Sequence, residues 1–166
     1  MERLAKNQSL VEGVGIGAED LPKLLAFAQE KKPALTVVGP DNPLALGIVD
    51  LFQKNGLRIW GPNRKAAQFE SSKVFSQTFM EKYGIPTARA ITVTTEIFQH
   101  ATENKFTEHR ELMLFLLENQ KCVVKADGLA LGKGVLICNG RSETYAAMLE
   151  MFSERKFGDA GKKVVL

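Results

Sequence analysis

The chain has 166 residues, of which 45% are apolar and 25% are charged, a composition typical of one globular domain or two small ones. Its net charge is only +3, with acidic and basic residues interleaved, so a nucleic-acid partner is not expected, and a cleft that binds anions is a more modest interpretation. No apolar run is long enough to span a membrane and no signal-peptide pattern begins the chain, which predicts a soluble, cytoplasmic protein.

The first part of the chain alternates between helical and strand patterns. Residues 19–32 predict a helix capped by Asp20, and 34–38 predict a short buried strand. A single amphipathic helix is predicted at 44–55 and a second strand at 57–60. Quick alternation of this kind is typical of parallel strands joined by crossover helices, so we expect an α/β fold.

The pattern changes in the second part of the chain. Residues 63–83 predict one or two helices, and the Gly84-Ile85-Pro86 sequence ends them. The later elements are strands at 88–94, 121–126 and 133–138, helices at 107–119 and 142–154, and a strand that begins in 162–166. We expect Cys122 and Cys138, each within an apolar run and outside any Cys-x-x-Cys pair, to be reduced core residues.

A glycine-rich segment between two predicted strands is the strongest local signal for a ligand. Within residues 125–135 it contains Gly128, Gly132 and Gly134 together with Lys125 and Lys133. Glycine lets the backbone approach a ligand and direct N–H groups at it, and lysine supplies a mobile positive charge for phosphate. From this segment alone, a phosphate-binding loop and a plain hairpin with solvated lysines are equally good interpretations.

Two better-known phosphate-binding patterns do not fit the chain. A P-loop needs four residues between its first two glycines, a hydroxyl after its lysine and a following helix. Only three residues separate Gly128 from Gly132, Gly134 replaces the hydroxyl, and a strand follows. Residues 13–18 match a dinucleotide fingerprint, but no clear strand precedes them and acidic residues follow, so we reject that interpretation.

Four segments in order resemble the phosphoribosylamine–glycine ligase family, whose members are ATP-grasp carboxylate–amine ligases. They are residues 37–50, 61–88, 123–135 and 157–161. The segment VVKADGLALGKGV at 123–135 is similar to the family signature Lys-Ala-Asp-Gly-Leu-Ala-x-Gly-Lys-Gly-Val. The combination favours a phosphate-binding loop over a plain hairpin.

The resemblance implies specific roles for residues of this chain. Lys73 and Lys125 would reach the nucleotide phosphates, a mobile glycine-rich loop that includes Lys133 would close over them, and a turn would lie near the phosphoribosylamine pocket. Asp41 stands where the family usually has Glu, which puts the contact at that position in doubt. The implied ATP-binding set is Lys73, Lys125, Asp127, Gly128, Leu129, Gly132, Lys133 and Gly134, and the implied substrate-side turn is Gly39, Pro40 and Asp41.

The resemblance also implies a domain plan. It predicts an incomplete Rossmann-like parallel-sheet unit, the pre-ATP-grasp domain, over residues 1–72. A helical connection would follow at 73–87, and a truncated ATP-grasp lid subdomain at 88–166. We expect self-association through apolar surfaces exposed at the truncations.

The implied reaction joins glycine to 5-phosphoribosylamine at the expense of ATP, through glycyl phosphate. ATP and Mg²⁺ are the implied cofactors, with the metal ligands expected outside this chain, so we predict that the chain does not turn over alone. Two alternatives are another ATP-grasp ligase or carboxylase, and a non-catalytic fragment that binds nucleotide or pairs with a partner chain.

Overall fold

The computed structural model describes residues 11–102, 110–129, 134–153 and 162–166. The chain divides into two compact units, Met1–Arg64 and Lys65–Leu166. The first contains a parallel pair of strands and the second an antiparallel sheet, so the chain has an α/β fold.

The first unit is built from short helices around a two-stranded parallel sheet. Thr36 lies opposite Ile59 and Val37 opposite Trp60, which confirms the prediction of parallel strands. Its elements are α1 (Leu21–Lys31), β1 (Thr36–Val37), α2 (Asp41–Leu46), α3 (Ile48–Lys54) and β2 (Ile59–Trp60). Helix α1 begins as predicted, because the Asp20 carboxylate accepts the backbone N–H of Lys23 at 3.2 Å.

Two predictions for this unit were wrong. The single helix expected at 44–55 is two helices, because Gly47 has a φ of 93°, in the left-handed region where a right-handed helix cannot continue. The strand expected to be buried is not: Val37 and its partner Trp60 are 62% and 66% exposed. Helix α3 packs against β2, and the large apolar side chains that it buries include Val49 and Phe52.

The second unit is centred on a four-stranded antiparallel sheet with the strand order β3-β6-β4-β5. Its helices are α4 (Arg64–Ser71), which begins at the last residue of the first unit, α5 (Lys73–Lys82), α6 (Thr95–Thr102), α7 (Arg110–Glu118) and α8 (Arg141–Ser153). Its strands are β3 (Thr92–Thr94), β4 (Lys121–Ala126), β5 (Val135–Asn139) and β6 (Lys163–Val165). Helix α6 is an element that the sequence pattern did not predict.

Alternation along β4 separates a buried face from an open face. Cys122, Val124 and Ala126 are buried in one core with α7 and α8, whereas Lys121, Val123 and Lys125 are exposed. A strand sends successive side chains to opposite faces of its sheet, so one face supplies the core and the other remains open. Lys125 therefore lies on the open face, near the end of the strand.

The two cysteines lie opposite each other on β4 and β5. Cys122 and Cys138 are both free and buried, and burial raises the pKa of each thiol. The position is that of two reduced core residues, as the sequence predicts.

Labelling of the folded chain with a thiol reagent at about pH 8 is expected to be on the order of 100-fold slower than labelling of the unfolded chain. The reactive species is the thiolate, which is scarce when the pKa is raised and is protected when the side chain is buried. The same chain in denaturant provides the control. Rapid labelling of either cysteine in the folded chain would contradict the described core.

Candidate functional site

The predicted glycine-rich loop begins where β4 ends. The backbone N–H of Ala126 donates to the carbonyl of Gly134 at 2.8 Å, which continues the strand pairing beyond Lys125 and its partner Val135. Asp127, Gly128 and Leu129 follow and are half-buried. Gly132 and Lys133, which the sequence also assigns to the loop, lie outside the described residues.

The first turn of α5 is attached to this loop by hydrogen bonds. The Asp127 carboxylate accepts both the Ser72 hydroxyl, at 3.0 Å, and the backbone N–H of Val74, at 2.8 Å. The Asp127 carbonyl accepts the backbone N–H of Lys73 at 3.2 Å. The Ser72 hydroxyl also accepts the backbone N–H of Phe75, so that Ser72 is the N-cap of the helix. Helix α5 thus starts directly beside the loop.

Lys73 is the first residue of α5, and its side chain points to the loop. Its ammonium nitrogen donates to the carbonyl of Gly128 at 3.2 Å. Burial lowers the pKa of Lys73, and the charge of Lys125 lowers it further, while Asp127 and Glu70 act in the opposite direction. The structure therefore brings Lys73, Lys125 and the start of the loop into one electrostatic environment.

The lowered pKa of Lys73 predicts a pH dependence of stability. Between the folded-state pKa and the unfolded value of about 10.4, the unfolded chain binds more protons, so this residue adds to the free energy of unfolding as pH rises. Lys73→Met has no titrating group at this position. As pH rises between the two pKa values, the free energy of unfolding of the wild type should therefore increase relative to that of the variant. Urea unfolding at several pH values measures it, and parallel pH profiles would contradict the prediction.

The substrate-side residues lie in the first unit. Gly39 follows the carboxyl end of β1, Pro40 is the extended residue before α2, and Asp41 is the first residue of that helix. All three are exposed. The phosphate-side residues lie in the second unit, so each group is described within its own unit.

An exposed apolar surface lies beside Lys125, and the sequence interpretation missed it. Val123 is two residues away on the same strand and face, and its cross-strand partner is Ile137. Val123, Val135 and Ile137 are 38%, 45% and 77% exposed. The two-residue period of the predicted strand was the available signal, because it puts Val123 on the same face as Lys125.

Two further findings concern metal and membrane features in the described part of the chain. Across the described ranges, no group of three or more His, Cys, Asp or Glu side chains is placed to hold a metal ion. No helix within those ranges is long and apolar enough to cross a membrane.

Two family models divide the chain between them. The model for the phosphoribosylglycinamide synthetase N domain matches residues 3–70, and the model for the ATP-grasp (A) domain of the same synthetase matches residues 71–166. The chain belongs to the phosphoribosylglycinamide synthetase family. The family prediction made from the four sequence segments is therefore confirmed.

Similar proteins agree with this family. A phosphoribosylamine–glycine ligase of Pasteurella multocida is 45% identical over 157 residues, which are 94% of this chain and 34% of that protein. A solved phosphoribosylamine–glycine ligase of Thermotoga maritima is 27% identical with a TM-score of 0.57, over 84% of this chain and 31% of that one. This chain spans about a third of the length of the curated relatives it matches.

A more distant solved structure shares the fold. The biotin carboxylase domain of Hydrogenobacter thermophilus 2-oxoglutarate carboxylase, solved with MgADP, ADP and bicarbonate, is 19% identical with a TM-score of 0.66. The likeness covers 92% of this chain and 33% of that one. The expected α/β fold, a parallel-sheet unit followed by ATP-grasp structure, is confirmed. The division at 1–72, 73–87 and 88–166 and the roles of individual residues stay predictions.

Proposed function

We propose that this chain supplies the triphosphate-binding part of a phosphoribosylamine–glycine ligase. The reaction joins glycine to 5-phosphoribosylamine, uses ATP to form glycyl phosphate, and yields glycinamide ribonucleotide. The observation that carries the proposal is the position of the Lys73 ammonium, which donates to the Gly128 carbonyl in the loop that follows Lys125 and the end of β4. Family membership supports the same assignment.

The charge arrangement favours an anionic ligand. Lys73 is half-buried, and its pKa is lowered first by burial and then by the charge of Lys125, so that the opposing charges of Asp127 and Glu70 do not fully compensate its ammonium. At about 4 Å and an effective dielectric constant of about 20, each lysine–phosphate pair contributes roughly 4 kcal/mol before desolvation is subtracted. A triphosphate would relieve the repulsion and use both lysines.

The remaining residues of the proposed nucleotide site belong to β4, to β5 and to the loop between these strands. Backbone N–H groups of the glycine-rich loop are suited to contact phosphate oxygens. The exposed side chains of Val123, Val135 and Ile137 offer an apolar surface on which a purine base would pack. The loop residues of the proposed set are Asp127, Gly128, Leu129 and Gly134, with Gly132 and Lys133 outside the described residues.

The lysines have a defined task in the proposed reaction. During phosphoryl transfer, negative charge is spread over the oxygens of the transferred group and the leaving diphosphate. Fixed ammonium groups at Lys73 and Lys125 would stabilise that charge. The glycine carboxylate accepts the phosphoryl group, and the amine of 5-phosphoribosylamine then displaces phosphate.

Magnesium is proposed for the family reaction but not assigned to residues here. Mg²⁺ is usually held by one or two carboxylates together with substrate phosphates and water. The described residues contain no cluster of three or more metal-ligand side chains, and one oxygen of Asp127 is engaged by Ser72 and Val74. These residues do not fit a metal site of their own, and we derive no step through the ion.

Gly39, Pro40 and Asp41 are proposed to face 5-phosphoribosylamine. The location of these residues supports this proposal, because ligands of open α/β sheets bind beyond the carboxyl ends of the strands. All three residues are exposed at the carboxyl end of β1. A biosynthetic ligase of this kind is proposed to act in the cytoplasm.

Isothermal titration with a non-hydrolysable ATP analogue tests the proposed binding. We expect saturable binding that is at least about tenfold tighter than that of adenosine, because the lysines contact only the phosphates. Equal affinity for the two ligands, or no binding of either, would contradict the phosphate site.

A turnover assay with ATP, glycine and 5-phosphoribosylamine separates the catalytic proposal from a non-catalytic one. Phosphate release that requires both other substrates would establish the ligase reaction in this chain and contradict the prediction that it does not turn over alone. Nucleotide binding without any turnover is the result expected of a fragment that only binds nucleotide.

A further inference from the structure

Asp127 connects three separate segments of the second unit. Its carboxylate accepts hydrogen bonds from Ser72 and Val74, and its carbonyl accepts one from Lys73, so it is attached to the first turn of α5. Its own backbone N–H donates to the carbonyl of Lys163 at 3.0 Å, at the start of β6. Asp127 itself directly follows β4. One residue therefore holds a helix start, a strand end and a second strand together.

These contacts supply hydrogen-bond acceptors to the first backbone N–H groups of α5. The first backbone N–H groups of a helix have no partner inside it, and the Asp127 oxygens satisfy those of Lys73 and Val74. A carboxylate is also favourable beside the positive end of the helix dipole, where the cation of Lys73 is not. Because Asp127 is thus engaged with α5, we assign its side chain to the scaffold of the loop.

We propose that Asp127 is a positioning residue, whose contacts with Ser72 and Val74 fix the start of α5 so that the Lys73 ammonium lies over the loop at Gly128. The proposal deepens the proposed function and rests on it for the identity of the ligand. Its geometric part does not require any ligand. The alternative is that Asp127 acts only through its charge, and the two roles predict opposite changes at Lys73.

The first test measures the pKa of Lys73 by NMR in chains labelled with ¹³C at the lysine ε carbon. If Asp127 positions Lys73, Asp127→Ala releases the ammonium into water and its pKa rises toward the ordinary value. Asp127→Asn keeps an oxygen acceptor for Ser72 and Val74, so the pKa of Lys73 stays low or falls further. A role limited to charge predicts a fall in both variants, because Asp127 raises the pKa of Lys73 in the wild type. A rise confined to Asp127→Ala supports the proposal, and any other pattern contradicts it.

Two further variants provide a control and a substitute for this test. Asp50→Ala is the matched control: the Asp50 carboxylate accepts the backbone N–H of Arg64 at the start of α4, at 2.7 Å, within the first unit. This variant should leave the pKa of Lys73 unchanged. If Asp127→Ala does not fold, Ser72→Ala removes one of the carboxylate's partners, and the pKa of Lys73 should rise there too. Hydrogen exchange at the Val74 amide should be faster in Asp127→Ala but not in Asp127→Asn.

The second test measures triphosphate affinity in a double-mutant cycle. Asp127→Ala is expected to weaken binding of the non-hydrolysable ATP analogue about tenfold in the wild type and less than about twofold in Lys73→Ala, because the effect passes through Lys73. Equal losses in both backgrounds would overturn the positioning role. If the wild type binds no nucleotide, the proposed function fails, while the pKa pattern of Lys73 still decides the role of Asp127.

Discussion

Lys125→Ala is expected to lower the affinity of the chain for a non-hydrolysable ATP analogue about 30-fold, which corresponds to about 2 kcal/mol. Lys125 lies on the open face of β4, next to the loop, and its charge lowers the pKa of Lys73. Loss of the ammonium removes a charge-assisted contact with phosphate. Isothermal titration of wild type and variant measures the change.

Lys121→Ala is the matched control for this experiment. Lys121 is exposed on the same strand and the same face as Lys125, but at the other end of β4. The Lys121→Ala substitution removes one positive charge away from the loop. Its loss of affinity for the ATP analogue should therefore be less than about threefold, and added salt should reduce that loss. Equal losses in the two variants would mean that net charge, and not a site, attracts the nucleotide.

Met148→Ala is expected to lower the free energy of unfolding by about 3 kcal/mol. Met148 is fully buried, and helix α8 packs against both β4 and β5, so truncation leaves a cavity in the core beneath the proposed site. Urea denaturation followed by circular dichroism measures the loss. The expected loss follows from the packing of α8 on the sheet, which buries the face that carries Met148.

Leu149→Ala provides a comparison within the same helix. Leu149 is the neighbouring residue and is 45% exposed, so its truncation should cost less than about 1 kcal/mol. If the two variants lose equal stability, the described packing of α8 on the sheet is incorrect.

The sequence was most informative where a repeated pattern reflects burial. The short apolar segment KCVVKA, followed by a glycine-rich loop, predicts β4 with the bounds that the structure has, and one face of that strand is buried while the other is open. The helices that end before Gly84 and the start of α5 at Lys73 also agree with the pattern. Four short segments were sufficient to identify the family, because their order and spacing are specific.

The sequence was less informative where distant residues decide the conformation. The apolar pattern of 44–55 continues across Gly47, so it did not indicate that the backbone there leaves the helical region. The contacts of Asp127 with Ser72 and Val74 join residues more than fifty positions apart, and no local pattern indicates them. Self-association is still a prediction, although apolar side chains such as Trp60 and Ile137 are largely exposed.

The most direct measurement is an NMR titration of the lysine-labelled chain with the non-hydrolysable ATP analogue. If Lys73 and Lys125 belong to one triphosphate site, the signals of both lysines shift with the same midpoint, while that of Lys121 stays in place. Adenosine, which has no phosphate, should leave the Lys73 signal in place. Different midpoints for the two lysines, or signals that do not respond to the triphosphate, would contradict a shared site.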